Sequence, residues 1–402
     1  MRILVFGHRL EMGGSQTNTV DLAAEIRDRF GHEVTLFATP GRSAELARAH
    51  DLALIEAPEP GRVHPSPRMT RALDDAVRRV RPDLLHVWEW QQILDAYYSA
   101  AHRSGLPMLG TNMMMEPLRS IPPEVPLTAS TQQIVDGSRA IMSAPVWRLE
   151  PPVDTDRDDP GIVDPMPFIR AHDLTDDSAA RFVIVSRIVE SMKLESMRDA
   201  IRAVELLAPA RAVRLVIVGG GTAEASVASQ AEGVNARLGR RAIVMTGPLQ
   251  DPRPAYAAAE VMLGMGSSAI RGLAFGKPTI VLGEQGFSEV FDATTRPLFA
   301  EQGYYGIGPG PAGGDAAARL ARQMEQVLDD PAIPTVAAES RALVVERYSV
   351  PAAAKHLESI YREVVERAPR SPKTWTTVRF LPIALATQLP ERVKAPLRRL
   401  MP

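Results

Sequence analysis

The chain has 402 residues, of which 45% are hydrophobic and 23% are charged, and its formal net charge is −2. This length exceeds what one hydrophobic core usually supports, so we expect two domains, and the composition excludes a disordered or collagen-like chain. Because there is no cysteine, a disulfide framework, a thiolate metal site and a cysteine nucleophile are excluded. No apolar stretch reaches the roughly 18 residues of a membrane span. The apolar run after Met1 is shorter than the core of a signal peptide, so we predict a cytoplasmic chain that begins at Met1.

Short apolar runs alternate with longer segments of helical period along the first half of the chain. This pattern is typical of strand–helix–strand units with a parallel sheet covered on both faces. The predicted elements are strands at 2–7, 33–38, 52–57, 84–88, 107–111 and 126–130 and helices near 15–29, 68–80 and 91–104. Residues 151–175 follow, rich in Pro and Asp and with little periodicity. They are the predicted linker.

The second half repeats the architecture. The predicted elements are strands at 181–186, 214–221, 242–247, 261–266 and 279–283 and helices near 194–207, 223–238, 267–275, 313–328, 335–348 and 350–367. Two doubly wound α/β domains are therefore expected in series. Because such domains bind ligands at the carboxyl ends of their strands, two of them facing each other would enclose a cleft.

The tail, residues 366–402, is basic in a chain that is otherwise acidic. From residue 367 onward it has one acid, Glu391, against Arg367, Arg370, Lys373, Arg379, Arg392, Lys394, Arg398 and Arg399. Such a segment could lie on an anionic membrane surface. The prolines at 382, 390 and 396 prevent one long amphipathic helix, which favours a tail that packs back on the first domain.

Glycines follow the first predicted strand. The loop runs from Gly7 through Gly13 and Gly14 to Ser15, where a helix begins. A glycine loop allows close approach to a ligand, and a helix N-terminus favours an anion such as a diphosphate. The spaced glycines of the dinucleotide fingerprint are missing, and no acid follows the second strand, which disfavours a dehydrogenase.

Two further clusters follow strands of the second half. Ser186, Arg187 and Lys193 lie between a strand end and the next helix, and Lys193 is one of only five lysines in the chain. Two cations at such a junction can clamp a pyrophosphate. The second cluster, 264–268, has the sequence Gly-Met-Gly-Ser-Ser and opens a helix, an arrangement suited to phosphate, with Ser267 also a candidate N-cap.

Together these clusters resemble the retaining family 4 glycosyltransferases of the GT-B fold. The likeness rests on the Gly-Gly loop, the PPVDT segment, the Ser-Arg-x5-Lys pair, RLVIVGGG, VMTGPL and AFGKPTIV followed by Glu289, and it covers most of the chain. The resemblance implies two Rossmann-like doubly wound domains facing across a cleft. It also implies metal-independent transfer of a sugar from a nucleoside-diphosphate sugar, such as a UDP or GDP sugar, with the leaving phosphate taking the proton of the acceptor.

The chain departs from the family pattern at three positions. The two glutamates of the family, which bond the sugar and the ribose, fall on Leu263 and Arg271, and its histidine falls on Met113. Either an unusual donor or loss of donor binding would explain these changes. The remaining candidates in the expected cleft are His8, Glu116, Glu284 and Glu289.

The predicted site has three parts. The candidate catalytic residues are Arg187, Lys193, His8 and Glu289. The candidate donor-binding residues are Gly13, Gly14, Ser186, Gly219, Gly247, Gly264, Gly266, Ser267, Ser268, Arg271 and Glu284, and the candidate acceptor-binding residues are Asn112, Met113 and Glu116. No metal site and no cofactor are expected, because the histidines lack ligand spacing and the acid pairs 74–75, 158–159 and 329–330 are typical of solvated faces or turns.

We therefore predict an acceptor-binding domain at 1–165, a donor-binding domain at 166–365 and the basic tail. The partners would be a nucleotide sugar and a small-molecule or glycan acceptor, in bacterial specialised metabolism or surface glycan synthesis. Nucleic-acid binding is disfavoured by the net negative charge and the 5% aromatic content. A non-catalytic GT-B partner subunit remains an alternative, as does an inverting transferase or nucleotide-sugar epimerase with His8 or Glu116 as its base.

Overall fold

A computed structural model of the chain describes residues 1–11, 13–176, 178–309, 314–367, 380–382, 384–386 and 388. The chain forms two compact units. The first combines Met1–Pro152 with Val350–Pro402, and the second is the continuous segment Val153–Ser349. Both have the predicted α/β architecture.

The first unit is built on a parallel sheet. Its described elements are β1 (Arg2–Phe6), α1 (Gly14–Phe30), β2 (Glu33–Ala38), α2 (Ala44–Ala49), β3 (Ala53–Glu56), α3 (Pro67–Val80), β4 (Leu84–Trp88), α4 (Trp90–Tyr97), α5 (Ala100–Arg103), β5 (Met108–Asn112), β6 (Leu127–Ala129), α6 (Gln132–Arg139), β7 (Val146–Arg148) and α15 (Val350–Arg367). In these described residues seven strands pair in the order β3-β2-β1-β4-β5-β6-β7. The order reverses between β1 and β4, which makes this pair the topological switch point.

The second unit repeats this plan. Its described elements are α7 (Met166–Ala171), β8 (Ala180–Val185), α8 (Leu194–Leu207), β9 (Val213–Val218), α9 (Glu224–Leu238), β10 (Ile243–Gly247), α10 (Arg253–Ala258), β11 (Val261–Gly264), α11 (Ser267–Ala274), β12 (Thr279–Leu282), β13 (Ser288–Val290), α12 (Arg296–Gln302), α13 (Ala316–Asp329) and α14 (Ile333–Arg347). The described strands pair in the order β10-β9-β8-β11-β12-β13, with β13 antiparallel to its neighbour. The switch point is β8 and β11.

Both sheets are buried because their strands are apolar on both faces. All five residues of β4 are buried, and so are all four residues of β11. Separate apolar clusters cover the two faces of each sheet. The prediction of parallel strands covered on both faces is confirmed.

The segment predicted as a linker is packed into the second unit, so this prediction was wrong. Phe168, Ile169 and Leu174 are buried against β8, β9 and β10, because α7 presents an apolar face in a segment whose composition is otherwise that of a loop. Val153 is also buried, and its N–H donates to the Tyr348 carbonyl at 2.8 Å. The structure therefore separates the units near 152, whereas the sequence placed the boundary at 165.

The last long helix also lies in a different unit from the one expected. The predicted donor domain extended to residue 365, but α15 packs on α1 through Leu357, Ile360 and Tyr361. The Tyr361 hydroxyl bonds the His86 ring at 2.7 Å, and His86 is buried in β4. An apolar helix face can be predicted from the sequence, but its partner lies more than 270 residues away in the chain.

Part of the tail lies within the described residues and contacts the first unit. Phe380 and Ala384 are buried against Leu94, and the Gln388 side chain accepts the His64 N–H at 2.7 Å. Of the eight basic residues only Arg367 is described. The other seven, Arg370, Lys373, Arg379, Arg392, Lys394, Arg398 and Arg399, lie outside the described residues, as does Glu391. No helix in the described part of the chain is long and apolar enough to cross a membrane.

Candidate functional site

Two cations lie close together at the carboxyl end of β8 in the second unit. Arg187 is exposed one residue beyond Ser186, and Lys193 is half-buried at the start of α8. Burial, and to a lesser extent the charge of Arg187, lower the pKa of Lys193 to about 8, while the carboxylate of Glu284 opposes both effects. Within the described residues no ion pair involves either cation. The structure therefore brings Arg187, Lys193 and Glu284 together as a site of excess positive charge.

Glycines behind this cluster allow the ends of β8 and β9 to meet. The Ser186 N–H donates to the Val218 carbonyl at 3.0 Å, and a Cβ on Gly219 would lie 1.9 Å from the Ser186 carbonyl oxygen. Gly219 also has φ +144, which disfavours other residues. Its packing with the β8 end thus accounts for the glycine at this predicted donor position.

The loop from Gly264 to Ser268 is tied to the end of β8. Gly266, not Ser267, is the N-cap of α11, because its φ of +59 suits a glycine and no side chain caps this helix. The N-cap prediction for Ser267 was wrong, and Ser267 is the exposed first residue of the helix. The Ser268 hydroxyl donates to the Val185 carbonyl at 2.8 Å and accepts from the Tyr256 hydroxyl at 3.1 Å. Ser268 therefore joins α11 to the strand that presents Arg187.

Arg271 on α11 forms an ion pair that the sequence did not predict. Its Nε lies 3.1 Å from the Asp158 carboxylate, whose side chain is only 3% exposed. Burial raises the pKa of Asp158 to about 6 in spite of the guanidinium beside it. The prediction that Asp158 and Asp159 are both solvated was wrong for Asp158. The positive charge of Arg271, at a position where the family has a glutamate, is thus paired with Asp158 in the segment predicted as a linker.

Glu284 is held at the end of β12 by its own hydrogen bonds. The Tyr305 hydroxyl donates to the Glu284 carboxylate, and the Glu284 N–H donates to the Gly306 carbonyl at 2.9 Å. Burial and the Glu284 hydrogen bond raise the pKa of Tyr305, so this phenol remains a donor at neutral pH. The next residue, Gln285, has φ +53, and its N–H bonds Glu195 on α8 at 2.9 Å. Glu284 is therefore fixed near Lys193.

The other two predicted positions of the second unit differ in surroundings. Glu289 is half-buried in β13, and burial raises its pKa, with Arg319 and Asp292 as the charged groups near it. Its Oε1 has no hydrogen-bond partner among the described residues. Gly247 ends β10 with φ +73, and its carbonyl accepts the Gly219 N–H at 3.0 Å.

In the first unit, the glycine loop after β1 begins α1 as predicted. Gly13 is the N-cap in an extended conformation, and Gly14 is the exposed first residue of the helix. His8, in the same loop, is half-buried, and its Nδ1 lies 3.2 Å from the Gln16 amide nitrogen. No side chain caps this helix.

Glu89 is a functional candidate that the sequence analysis missed. It follows β4 directly, and its carboxylate accepts from the Ser15 hydroxyl at 2.5 Å and from the Met113 N–H. Burial raises its pKa, while these hydrogen bonds and the charge of His8 oppose the shift. The signal was its position as a polar residue just after an apolar strand, which is also where Arg187 lies.

The predicted acceptor positions lie on and beyond β5. Asn112 is 1% exposed, and its side-chain oxygen has no hydrogen-bond partner among the described residues. Met113 is half-buried, and Glu116 is exposed. In the described part of the chain no cluster of three or more His, Asp or Glu could hold a metal ion.

Two family models match successive parts of the chain. The model of Glycosyltransferase Family 4 matches residues 12–155, and the model of Glycosyl transferases group 1 matches residues 179–330. The first match lies in the first unit except for its last residues, and the second match lies in the second unit. None of the curated protein sequences compared with the chain matches it.

Solved structures share the fold over most of the chain. A glycosyltransferase from Rickettsia africae has a TM-score of 0.70 at 14% identity, over 91% of this chain and 99% of its own. Anabaena Alr3699/HepE, solved in complex with UDP-glucose, has 0.69 at 14% identity, over 90% and 100%. Sucrose-phosphate synthase from Thermosynechococcus elongatus has 0.65 at 15% identity, over 91% and 99%.

Proposed function

The chain belongs to the nucleotide-sugar glycosyltransferases of the GT-B fold, with a family 4 domain followed by a group 1 domain, and we propose that it is a retaining enzyme. In this proposal Arg187 and Lys193 hold the diphosphate of the donor, and the first unit binds the acceptor. UDP is the first candidate nucleotide, because Alr3699/HepE has been solved with UDP and with UDP-glucose.

The excess positive charge of Arg187 and Lys193, with the single carboxylate of Glu284 beside Lys193, carries the proposal. Lys193 is buried enough to lower its pKa to about 8, and Arg187 adds a second positive charge beside it, with no ion pair to either among the described residues. Such an arrangement is unfavourable in the free protein and becomes favourable when a dianion binds. A charge-assisted hydrogen bond contributes on the order of 1.5–3 kcal/mol, so two of them suit a diphosphate.

Retention follows if the acceptor attacks from the face that the phosphate leaves. The bond between the anomeric carbon and the phosphate oxygen breaks, the acceptor oxygen bonds that carbon on the same face, and its proton moves to the departing phosphate. The cations stabilise the charge that develops on the diphosphate, which is the main electrostatic requirement of this reaction. We propose that no metal is needed, because Arg187 and Lys193 perform this role.

The test is calorimetric binding of UDP, GDP, ADP, dTDP and CDP to the full chain, repeated with Arg187→Ala and Lys193→Ala. One diphosphate is expected to bind at micromolar affinity, with each variant weakening it at least about 10-fold. EDTA is expected to leave binding unchanged. The anomeric configuration of the product, read by NMR once a donor is turned over, tests retention.

Arg198→Ala is a matched control. Arg198 lies on the same helix, α8, is exposed, and donates to the Ser226 hydroxyl at 2.8 Å. The substitution therefore removes a positive charge from α8 but leaves Arg187, Lys193 and Glu284 unchanged. Equal weakening in this variant would show a general charge effect and contradict the assignment. An inverted product would contradict retention while leaving the diphosphate site in place.

A further inference from the structure

Three exposed arginines follow one another closely at the start of α3 in the first unit. Arg62 is in the loop that precedes the helix, and Arg68 and Arg71 are in its first two turns. Residues 57–71 contain a single acid, Glu59, whose carboxylate is already paired with an arginine of the loop after β1. Among the described residues no ion pair involves any of the three arginines. This surface therefore has a local excess of positive charge.

The acids on the neighbouring helices are engaged elsewhere. Asp74 accepts two backbone N–H groups at the start of α5, at 3.2 and 3.0 Å, and Asp75 pairs with Arg78. Asp95 on α4 is 0% exposed and bonds the His64 ring at 2.8 Å. The excess charge before α3 is therefore left to solvent or to an external anion.

The C-terminal tail is anchored beside the same loop. Phe380 and Ala384, four residues apart, are buried against Leu94 of α4. The Gln388 side chain forms two hydrogen bonds with the backbone of His64, because it accepts the N–H at 2.7 Å and donates to the carbonyl. His64 lies in the loop that carries the first of the three arginines. The chain after Gln388 therefore starts next to the positive charge.

Exposed apolar side chains adjoin this anchor. Val63 directly precedes His64 and is 53% exposed, and Leu385 is 41% exposed. Because Phe380 and Ala384 face α4, Leu385 points away from that helix. Single exposed apolar residues are ordinary on protein surfaces. Here two of them lie beside the same hydrogen-bonded residue and next to unpaired arginines.

The sequence after Gln388 has the same mixed character. Residues 389–402 include one acid, Glu391, and five Leu, Val or Met residues. Their basic residues are Arg392, Lys394, Arg398 and Arg399. These residues lie outside the described part of the chain, and their attachment at Gln388 places the start of the segment beside the arginines of the loop and α3.

Basic residues interspersed with apolar ones suit one kind of partner in particular. Anionic headgroups attract the arginines and lysines, and the apolar side chains enter the boundary between headgroups and acyl chains. A nucleic acid would offer the same phosphates, but proteins that bind single strands stack the bases on exposed aromatic side chains. Among the described residues of this surface, the exposed apolar side chains are aliphatic, not aromatic.

We infer that the surface formed by Arg62, Val63, Arg68, Arg71 and Leu385 binds an anionic lipid bilayer together with the basic C-terminal segment. The arginines bind the lipid phosphates, and the two aliphatic side chains enter the headgroup region. The inference goes beyond the proposed function and does not rest on it, because no residue of the diphosphate site takes part. It assigns the membrane-facing side of the molecule to the first unit.

The probe is vesicles in which about one third of the lipid is phosphatidylglycerol and the rest phosphatidylcholine, sedimented with the full chain. The chain should sediment with these vesicles and not with phosphatidylcholine alone. Arg62→Glu with Arg68→Glu should weaken binding about 25-fold or more, because each basic residue near an anionic surface contributes about 5-fold. NaCl at about 0.5 M should weaken it at least about 10-fold, since salt screens exposed charges.

Arg48→Glu with Arg322→Glu is the matched control, because it changes the net charge by the same amount. Arg48 is exposed on α2, which packs on the face of the sheet opposite α3, and Arg322 is exposed on α13 of the second unit. This variant should bind within about 2-fold of the wild type, since distant charges are screened. Equal weakening in the two variants would show an effect of net charge alone and overturn the inference.

Val63→Ser with Leu385→Ser tests the apolar part of the surface. Binding to the anionic vesicles should weaken about 10-fold, with an unchanged unfolding midpoint because both side chains are exposed. Ile162→Ser with Leu206→Ser, at positions 69% and 55% exposed in the second unit, should bind as the wild type does. Unchanged binding of the Val63 and Leu385 variant would overturn the assignment of a bilayer, because charge alone does not distinguish lipid from other polyanions.

Arg398→Glu with Arg399→Glu tests the C-terminal segment and should also weaken vesicle binding about 25-fold or more. Unchanged binding of this variant would overturn the part of the inference that concerns the segment. The whole inference is overturned if the wild type does not bind the anionic vesicles or binds phosphatidylcholine equally well. Tighter binding to DNA of random sequence than to the vesicles at the same salt concentration would also overturn it and would identify a nucleic-acid surface.

Discussion

The two units have the same strand order at their switch points, yet opposite charges lie there. In the second unit the strand end carries Arg187 and Lys193 with no ion pair among the described residues. In the first unit the corresponding edge carries the Glu89 carboxylate, which is bonded to Ser15 and Met113. A doubly wound sheet therefore fixes where a ligand binds, whereas the few residues after its strands decide the ligand's chemistry.

The largest expected effect is on the cationic edge. Arg187→Ala and Lys193→Ala should each lower turnover of the donor about 100-fold or more, because each removes charge that stabilises the departing diphosphate. Release of the nucleoside diphosphate is the measurement, with Arg198→Ala as the variant that should retain activity. Near wild-type turnover in both variants would contradict the contrast between the two units. It would show that the cations at the strand end of the second unit are not needed for transfer.

The buried ion pair of the second unit should be the next largest effect. Asp158→Ala leaves the Arg271 guanidinium without its acid and should lower the free energy of unfolding by about 3 kcal/mol. The adjacent Asp159 has a side chain that is 37% exposed and lies beside Arg341, so Asp159→Ala should lower the free energy of unfolding by less than about 1 kcal/mol. Urea unfolding measures the free energy for both variants. Equal effects would mean that burial of Asp158 does not set the strength of its pair.

A pH dependence should distinguish the two edges. Lys193 must be protonated to bind a diphosphate, and its pKa is about 8 in the free protein. Affinity should therefore be nearly full at about one pH unit below 8, about half of its maximum at pH 8, and fall up to about 10-fold per pH unit above it. Lys193→Arg should remove the decrease, since an arginine stays charged. Calorimetry between pH 7 and 9.5 tests this, and an equal decrease in the arginine variant would show another group titrating.

The smallest expected effect concerns the first unit and its C-terminal helix. Tyr361→Phe removes the hydroxyl that bonds the buried His86, and should cost about 1 kcal/mol of unfolding free energy. Burial lowers the pKa of His86 to about 3, so the ring stays neutral and the loss should not vary between pH 6 and 8. In this variant the backbone amides of β4 and α15 should be less protected from hydrogen exchange than in the wild type. Reduced protection confined to the second unit would contradict the assignment of α15 to the first unit.

Local pattern predicted the long elements well and the short ones poorly. The helix expected at 194–207 is α8 with the same bounds, because its apolar face and length give a clear period. The helix expected at 91–104 is interrupted at Ser99, whose hydroxyl caps α5 by accepting the His102 N–H. Short helices such as α6 and α10, and the strands β7 and β13, have too few residues for a period to be detected.

The candidate site was predictable where function follows a strand directly. Arg187 and Lys193 could be identified because a strand end and a helix start are both readable from the sequence. Glu89 satisfies the same rule, but a single acid after an apolar run is a weak signal without the Ser15 and Met113 bonds. Asp158 could not be identified, since neighbouring acids and prolines give it the appearance of a solvated turn.

The sequence by itself determined two doubly wound domains, the glycine loops and the cationic pair, because each depends on residues close together in the chain. Only the tertiary structure decided that Asp158 neutralises Arg271, that Glu89 faces Ser15 and Met113, and that α15 completes the first unit. Those contacts join residues from 24 to more than 270 positions apart. Such pairs are selected by burial and by the hydrogen bonds that burial requires, which no local pattern records.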